Sequence, residues 1–279
     1  MKHILLILLI IILIVTGIFL PYFPGDYDYF AVGISSTFQF ATLVSLLLVP
    51  IGLIWGIMDW VNRKNSEANK YPDSLRKIAF VATILIILVA ALGAFASHNR
   101  FSAIIILGLG IYILLKIHKK RKELKSVNSV RFSATPYYFI FIPLTVFFIR
   151  MSFLEKVKNS STDSVINQSE QLIQDIEAYK KTNGHYPISV QSTIEDYKTY
   201  VSGIERFHYE PSGDAYNLYF EQFSDMIGTQ EIVMYNKLDE HEMTVHNQDL
   251  LRIPSKSIRR GYHNVVQLPQ PHWKIFYFD

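Results

Sequence analysis

The first half of this chain is a series of apolar stretches, each near the length that crosses a lipid bilayer, and nothing else in the sequence restricts the fold as strongly. A helix needs about 20 apolar residues to span the hydrocarbon core. Five stretches approach that requirement: Ile4 to Leu20, one within Ala31 to Val61, Ile78 to Ser97, Phe101 to Ile117, and Tyr137 to Leu154. The first has a weakly basic start at Lys2 and His3, as a signal peptide has. Its apolar core is longer than such a segment usually carries, and Pro21-Tyr22-Phe23-Pro24 follows in place of small residues, so a retained helix is expected. The second contains Pro50, which predicts a kink, and ends near Trp55 and Trp60, whose indoles prefer the membrane interface.

Charge orients these spans. The loop after the second holds Arg63, Lys64, Lys70, Arg76 and Lys77; the loop after the fourth holds Lys116, Lys119, Lys120, Arg121, Lys122, Lys125 and Arg131. The loop after the first has Asp26 and Asp28 and neither Lys nor Arg. Basic loops remain in the cytoplasm. The expectation is an α-helical bundle of about five spans in the plasma (inner) membrane, with the N-terminus cytoplasmic and the C-terminal domain outside. Residues 1–154 form the polytopic transmembrane domain and 155–279 an extracytoplasmic α+β domain. Within the spans the polar residues Ser35, Ser36, Thr37, Gln39, Thr42 and Ser45 are uncharged, where a pump usually buries carboxylates or histidines.

Residues after Leu154 read as a soluble domain of roughly 120 residues, enough to bury a core. Asn159-Ser160-Ser161-Thr162-Asp163 offers helix-capping chemistry. Val165, Ile166, Leu172, Ile173 and Ile176 then recur with helical spacing, and Asn183-Gly184 supplies a stop. A short second helix is expected around Ile194 to Val201. Phe207 to Glu210 and Ala215 to Phe220 read as a hairpin about Pro211 to Asp214, with Tyr216, Leu218 and Phe220 on one face. Further strands are expected at Glu231 to Tyr235, Met243 to His246, Tyr262 to Gln267 and Trp273 to Phe278. One long helix packed on an antiparallel sheet is the α+β arrangement.

The helix ending in Tyr179-Lys180-Lys181-Thr182-Asn183-Gly184-His185-Tyr186-Pro187 resembles the close of the long helix in type IV pilins and type II secretion pseudopilins. The hairpin through Tyr209, Gly213, Asp214, Tyr216 and Leu218 is similar to their first strands. The likeness covers residues 137–220. It implies a membrane helix continuing into the soluble one. Val130 to Tyr137 has neither the leader glycine nor the membrane glutamate of those families, so the resemblance implies the fold without processing or filament assembly.

Chemistry is sparse. The chain has no cysteine, which excludes disulfides, thiolate zinc sites and thiol nucleophiles. A net charge of +3, gathered in two loops, gives no reason to expect nucleic acid. Asp239-Glu240-His241-Glu242-Met243-Thr244-Val245-His246 is the densest ionisable run, but its histidines are five apart, which fails the i, i+4 geometry of a zinc protease. A turn and strand is expected there. His185, His208, His263 and His272 are single histidines with no ligand spacing. No catalytic residue, metal or cofactor is expected. The aromatics carry more: they exceed what one small core holds, so Tyr209, Tyr216, Tyr219, Trp273 and Tyr277 are the candidate interaction surface. The partners expected are the lipid bilayer and another envelope protein or a second copy. A transporter or channel subunit is the alternative, and an extracytoplasmic enzyme a third class.

Overall fold

The computed structural model describes residues 2–64, 73–96, 134–189, 198–224, 230–241 and 265–278, with scattered positions between 103 and 115. The chain divides into two compact units. One comprises 1–20 and 29–156; the other comprises 21–28 and 157–279.

The first unit is helical. α1 (Lys2–Phe19) and α2 (Tyr29–Ser45) pack together, α2 also packs on α4 (Asp73–Ala96), and α3 (Leu48–Lys64) meets α4. Between α2 and α3 the backbone tightens, with Leu47 N–H donating to Val44 O and Val49 N–H to Leu46 O, each at 3.1 Å. The two helices bend by 47° there. Pro50 thus lies in the first turn of α3, where its missing N–H costs nothing, and the break falls just before it. Thr135–Asn183 is a single helix, α5, of 49 residues that runs from this unit into the other.

Among the described residues two helical stretches, Lys2–Tyr22 and Thr135–Asn183, are long and apolar enough to cross a membrane. A third is reached if Tyr29–Ser45 and Leu48–Asn62 form one broken span. This corrects the count of about five. Within α4 the apolar part among the described residues is Ile78–Leu92, preceded by Asp73, Arg76 and Lys77. The expected span at Phe101 to Ile117 lies largely outside the described residues.

The second unit is the α+β part. Its sheet has five antiparallel strands in the order β1-β2-β3-β5-β4: β1 (His208–Ser212), β2 (Ala215–Gln222), β3 (Gln230–Asn236), β4 (Val265–Gln267) and β5 (Trp273–Phe278). Tyr216, Leu218 and Phe220 do share one face, completely buried with Val165, Leu172 and Ile176 of α5. Gly184 ends the helix with φ +78° and its N–H on Lys180 O at 2.8 Å, the left-handed stop that only glycine adopts freely. The cluster Asn159 to Asp163 does not begin a helix; it lies inside α5, with Ser161 and Thr162 buried. Packing of the helix on the sheet overrides the local capping preference. The strand expected at Met243 to His246 falls outside the described residues.

The short helix expected at Ile194 to Val201 is not helical where it is described, from Lys198 onward. That stretch pairs with Pro21–Asp28, the link between α1 and α2, through an antiparallel bridge of Val201 with Pro24. Four backbone hydrogen bonds join them: Gly25 N–H to Tyr200 O (2.9 Å), Asp28 N–H to Ser202 O (2.9 Å), Ser202 N–H to Phe23 O (3.0 Å) and Gly203 N–H to Pro21 O (2.6 Å). A Cβ at Gly203 would stand 2.6 Å from Pro21 O, so the approach requires glycine. Tyr22 and Phe223 add a ring contact at 6.2 Å, and Lys198 and Asp26 an ion pair at 3.4 Å.

Candidate functional site

Among the described residues a cluster of titratable groups lies at one end of the β3–β5 pair. Asn236, the last residue of β3, organises it. Its side-chain oxygen accepts from the N–H groups of Leu238 (2.9 Å) and Glu240 (3.1 Å). Its amide donates to Asn217 Oδ1 at 2.9 Å, and its backbone N–H to His272 O at 3.1 Å. The resulting turn holds Asp239 at φ +59°, and the lead into β5 holds His272 at φ +67°. Non-glycine residues adopt this left-handed region only where the surroundings impose it. His272 Nδ1 then faces Asp239 Oδ2 at 3.2 Å.

His241 and Lys274 lie inward of that pair. His241 Nε2 donates to His272 O at 3.1 Å, which assigns the tautomer with the proton on Nε2. Burial first, and the charge of Lys274 second, push the imidazole down to about 4, so it is neutral at physiological pH. Lys274 is fully buried and donates from Nζ to Asp239 O at 3.3 Å. Burial lowers its pKa, and the Asp239 charge opposes that. It pairs across the sheet with Met234 and Gln267 and shares the face of Ile232, Val265 and Phe276, a second apolar cluster. A buried amine beside a neutral imidazole is the composition of a proton-transfer site. Here both groups donate to main-chain carbonyls of the two turns, which is the geometry of a clasp.

The other single histidines do not join it. His185 faces Tyr186 O at 2.9 Å, and His208 stacks on Tyr219 at 5.0 Å. His246 and His263 are outside the described residues. Among the described residues no group of three or more His, Cys, Asp or Glu is arranged to hold a metal.

The aromatic surface is partly corrected. Tyr216 is 0% exposed and Trp273 3%, both inside the helix-facing core. Tyr216 sits amid Tyr186, Tyr209 and Tyr235 at 5.0, 5.5 and 5.9 Å, and Trp273 meets Tyr235 at 5.5 Å. Burial raises the Tyr216 pKa strongly. The core has room for more aromatic rings than the strand alternation implied because they pack edge-on and tilted. Tyr209, Tyr219 and Tyr277 are half-buried. Tyr209 donates to Pro187 O at 2.9 Å. Tyr219 donates to Glu210 at 3.1 Å, and burial followed by the Glu210 charge pushes its phenol up to about 12.

Sequence reasoning missed a polar lock between α5 and the sheet. Lys158 Nζ donates to Glu231 Oε1 at 2.5 Å, Gln222 Nε2 donates to Glu231 Oε2 at 2.8 Å, and Thr162 donates to Gln222 Oε1 at 2.7 Å. All four residues are buried. The available signal was the pair Lys158 and Thr162 at i, i+4, with Gln222 and Glu231 closing two neighbouring strands. A second missed contact lies in the helical unit, where Arg150 of α5 donates twice to Gln39 Oε1, at 3.2 and 3.0 Å, and Gln39 donates to Ser35 at 3.2 Å.

Comparison with protein-family models, with characterised proteins and with solved structures finds no match to this chain.

Proposed function

We propose that this is a non-enzymatic multi-pass membrane protein that presents its C-terminal α+β domain outside the membrane for protein interaction or envelope assembly. The observation that carries the reading is the pairing of Pro21–Asp28 with Tyr200–Gly203. The chain passes between the two units three times, so the C-terminal domain is not a module on one linker. The link after α1 and the chain after the apolar part of α5 then emerge on one side of a bilayer. That requires an odd number of crossings, and three satisfies it when α1, the broken span α2–α3 and the apolar part of α5 each cross once. The acidic first loop and the basic later loops orient the domain outward in the plasma membrane. The pseudopilin-like reading is supported by α5, whose apolar start runs unbroken into an amphipathic half on an antiparallel sheet. The ionisable clasp favours a structural use of its groups over catalysis.

Two measurements test this. Alkaline phosphatase fused after Lys158 should be active, and a cytoplasmic reporter fused there dark; the opposite pattern refutes the topology. Photocrosslinkers placed at Tyr209, Tyr219 and Tyr277 in intact membranes should give discrete adducts with a protein. Uniformly unreacted chain refutes the interaction role.

A second reading, a subunit of a membrane transporter or channel, is favoured by the contact of Arg150 with Gln39, which lies in the buried polar row Ser35, Gln39 and Thr42 on α2. Solute flux in liposomes abolished by Gln39→Leu would favour it.

A further inference from the structure

We propose that the Tyr200 loop of the C-terminal domain is a lipid-contacting surface, seated with Phe23 and Tyr27 in the headgroup layer of the bilayer that α1 enters. The inference rests on the membrane reading above.

The constraint is length. The apolar stretch ends at Tyr22 and α2 begins at Tyr29, which leaves residues 23–28 to make the turn. Six residues reach about 20 Å when fully extended, so a loop whose two ends both lie at the membrane rises at most about 10 Å. The headgroup layer on each side of the hydrocarbon core is roughly 5–8 Å thick. Backbone hydrogen bonds hold Tyr200, Ser202 and Gly203 directly against this loop, so they share its depth. A segment bonded to so short a loop has no freedom to lift clear of the lipid.

The side chains match the layer. Tyr200 is 57% exposed, and Phe23 and Tyr27 are each 41% exposed. Tyr29 and Phe30, at the start of α2, are also exposed. Tyr200 has φ +49°, a left-handed conformation that accompanies its carbonyl bond to Gly25. Tyrosine places an apolar ring and a polar hydroxyl at the boundary of lipid and water, which is why aromatic belts form there. An exposed phenol on a water-facing loop has no such reason to be aromatic.

The domain also supplies its own control. β2 is about 23 Å long at the usual strand rise. Its last residues lie beside Phe223 and Tyr22, while its first, Ala215, follows Asp214, whose carbonyl accepts from Lys180 near the end of α5. Asp214 therefore marks the end of the domain opposite the Tyr200 loop.

Because the chain has no cysteine, each introduced one is a unique label site. The full-length variants Tyr200→Cys, Phe23→Cys, Asp214→Cys and Leu13→Cys are labelled with a polarity-sensitive fluorophore and reconstituted into phosphatidylcholine vesicles carrying shallow or deep nitroxide lipids. The expected result is a blue-shifted emission at positions 200 and 23 that is mostly lost with the shallow nitroxide. The label at 214 should be unshifted and unquenched, and the label at 13 quenched by the deep nitroxide. A label at 13 quenched while 200 remains bright and water-like overturns this inference and leaves the membrane reading intact. No quenching at 13 overturns both. Equal quenching at 200 and 214 overturns the inference too, since contact would then not be specific to this loop.

Discussion

Removing the carboxylate of Glu231 should be far more damaging than removing the whole Lys158–Glu231 pair. The Glu231 side chain is 0% exposed and that of Lys158 11%, so this is a buried ion pair with its charges withdrawn from water. Breaking such a pair from one side costs about 3–5 kcal/mol, because a buried charge loses its counterpart, whereas replacing both partners with apolar groups of similar volume is near neutral or stabilising. In Glu231→Leu the Gln222 amide also loses its acceptor, an unsatisfied buried donor costing about 1–3 kcal/mol. In Lys158→Met/Glu231→Leu only that second cost remains. For a domain of this size a loss of 3–5 kcal/mol lowers the melting temperature by about 10–20 °C. The assay is thermal unfolding of the full-length protein in detergent. Val233→Cys, in the core, supplies a single buried thiol that a fluorogenic maleimide reaches only when the domain opens. A double variant as unstable as Glu231→Leu alone would refute the reasoning, for it would show that side-chain volume, and not the isolated charge, sets the cost. A Glu231→Leu melt within a degree of the parent would refute the burial itself.

Three further outcomes follow from the same geometry. His241 titrates at about 4 when folded, against an ordinary histidine value of 6.5, so the unfolded chain binds its proton first. Stability should be unaffected above pH 6.5 and fall by about 3 kcal/mol as pH drops toward 4, and His241→Asn should flatten that decline in acid-denaturation curves. Ile176→Asp should abolish the cooperative melt, since Ile176 is fully buried and an ionised carboxylate there has no partner; an unchanged melt contradicts the helix phase. Gln39→Leu should lower the thermal stability of the helical unit by about 1 kcal/mol or less, the usual worth of a hydrogen bond between membrane helices, read in the same detergent by circular dichroism.

What was legible in the sequence was what local pattern controls. Tyr216, Leu218 and Phe220 alternate because one face of β2 is core, and Gly184 marks the end of α5 because its backbone needs a left-handed residue. Where both faces of a strand are buried, alternation no longer separates inside from outside. Lys274 and Trp273 are therefore both interior, though only one is apolar. The capping cluster at Asn159 to Asp163 misled for a related reason. Thr162 satisfies its hydroxyl inside a packed helix, on Lys158 O one turn back and on Gln222 across 60 positions of sequence. The pairing of Pro21–Asp28 with Tyr200–Gly203 left no local trace. A segment rich in Pro, Gly and Asp reads as an ordinary turn, and the partner that makes it part of a domain is far along the chain.

That separation has a consequence for biogenesis. Lys198 meets Asp26 across 172 residues, so on the proposed topology the first loop leaves the ribosome and is placed on one side of the membrane long before its partner segment exists. The C-terminal domain can be completed only where that loop already waits. A chain whose early helices were inserted in the wrong sense would translate normally, yet its Tyr200–Gly203 segment would lack its partner, with Pro21–Asp28 across the bilayer. On the proposed topology the fold therefore depends on correct insertion of the first helices, since the main-chain groups at 200–203 would lack their partners in a misthreaded copy.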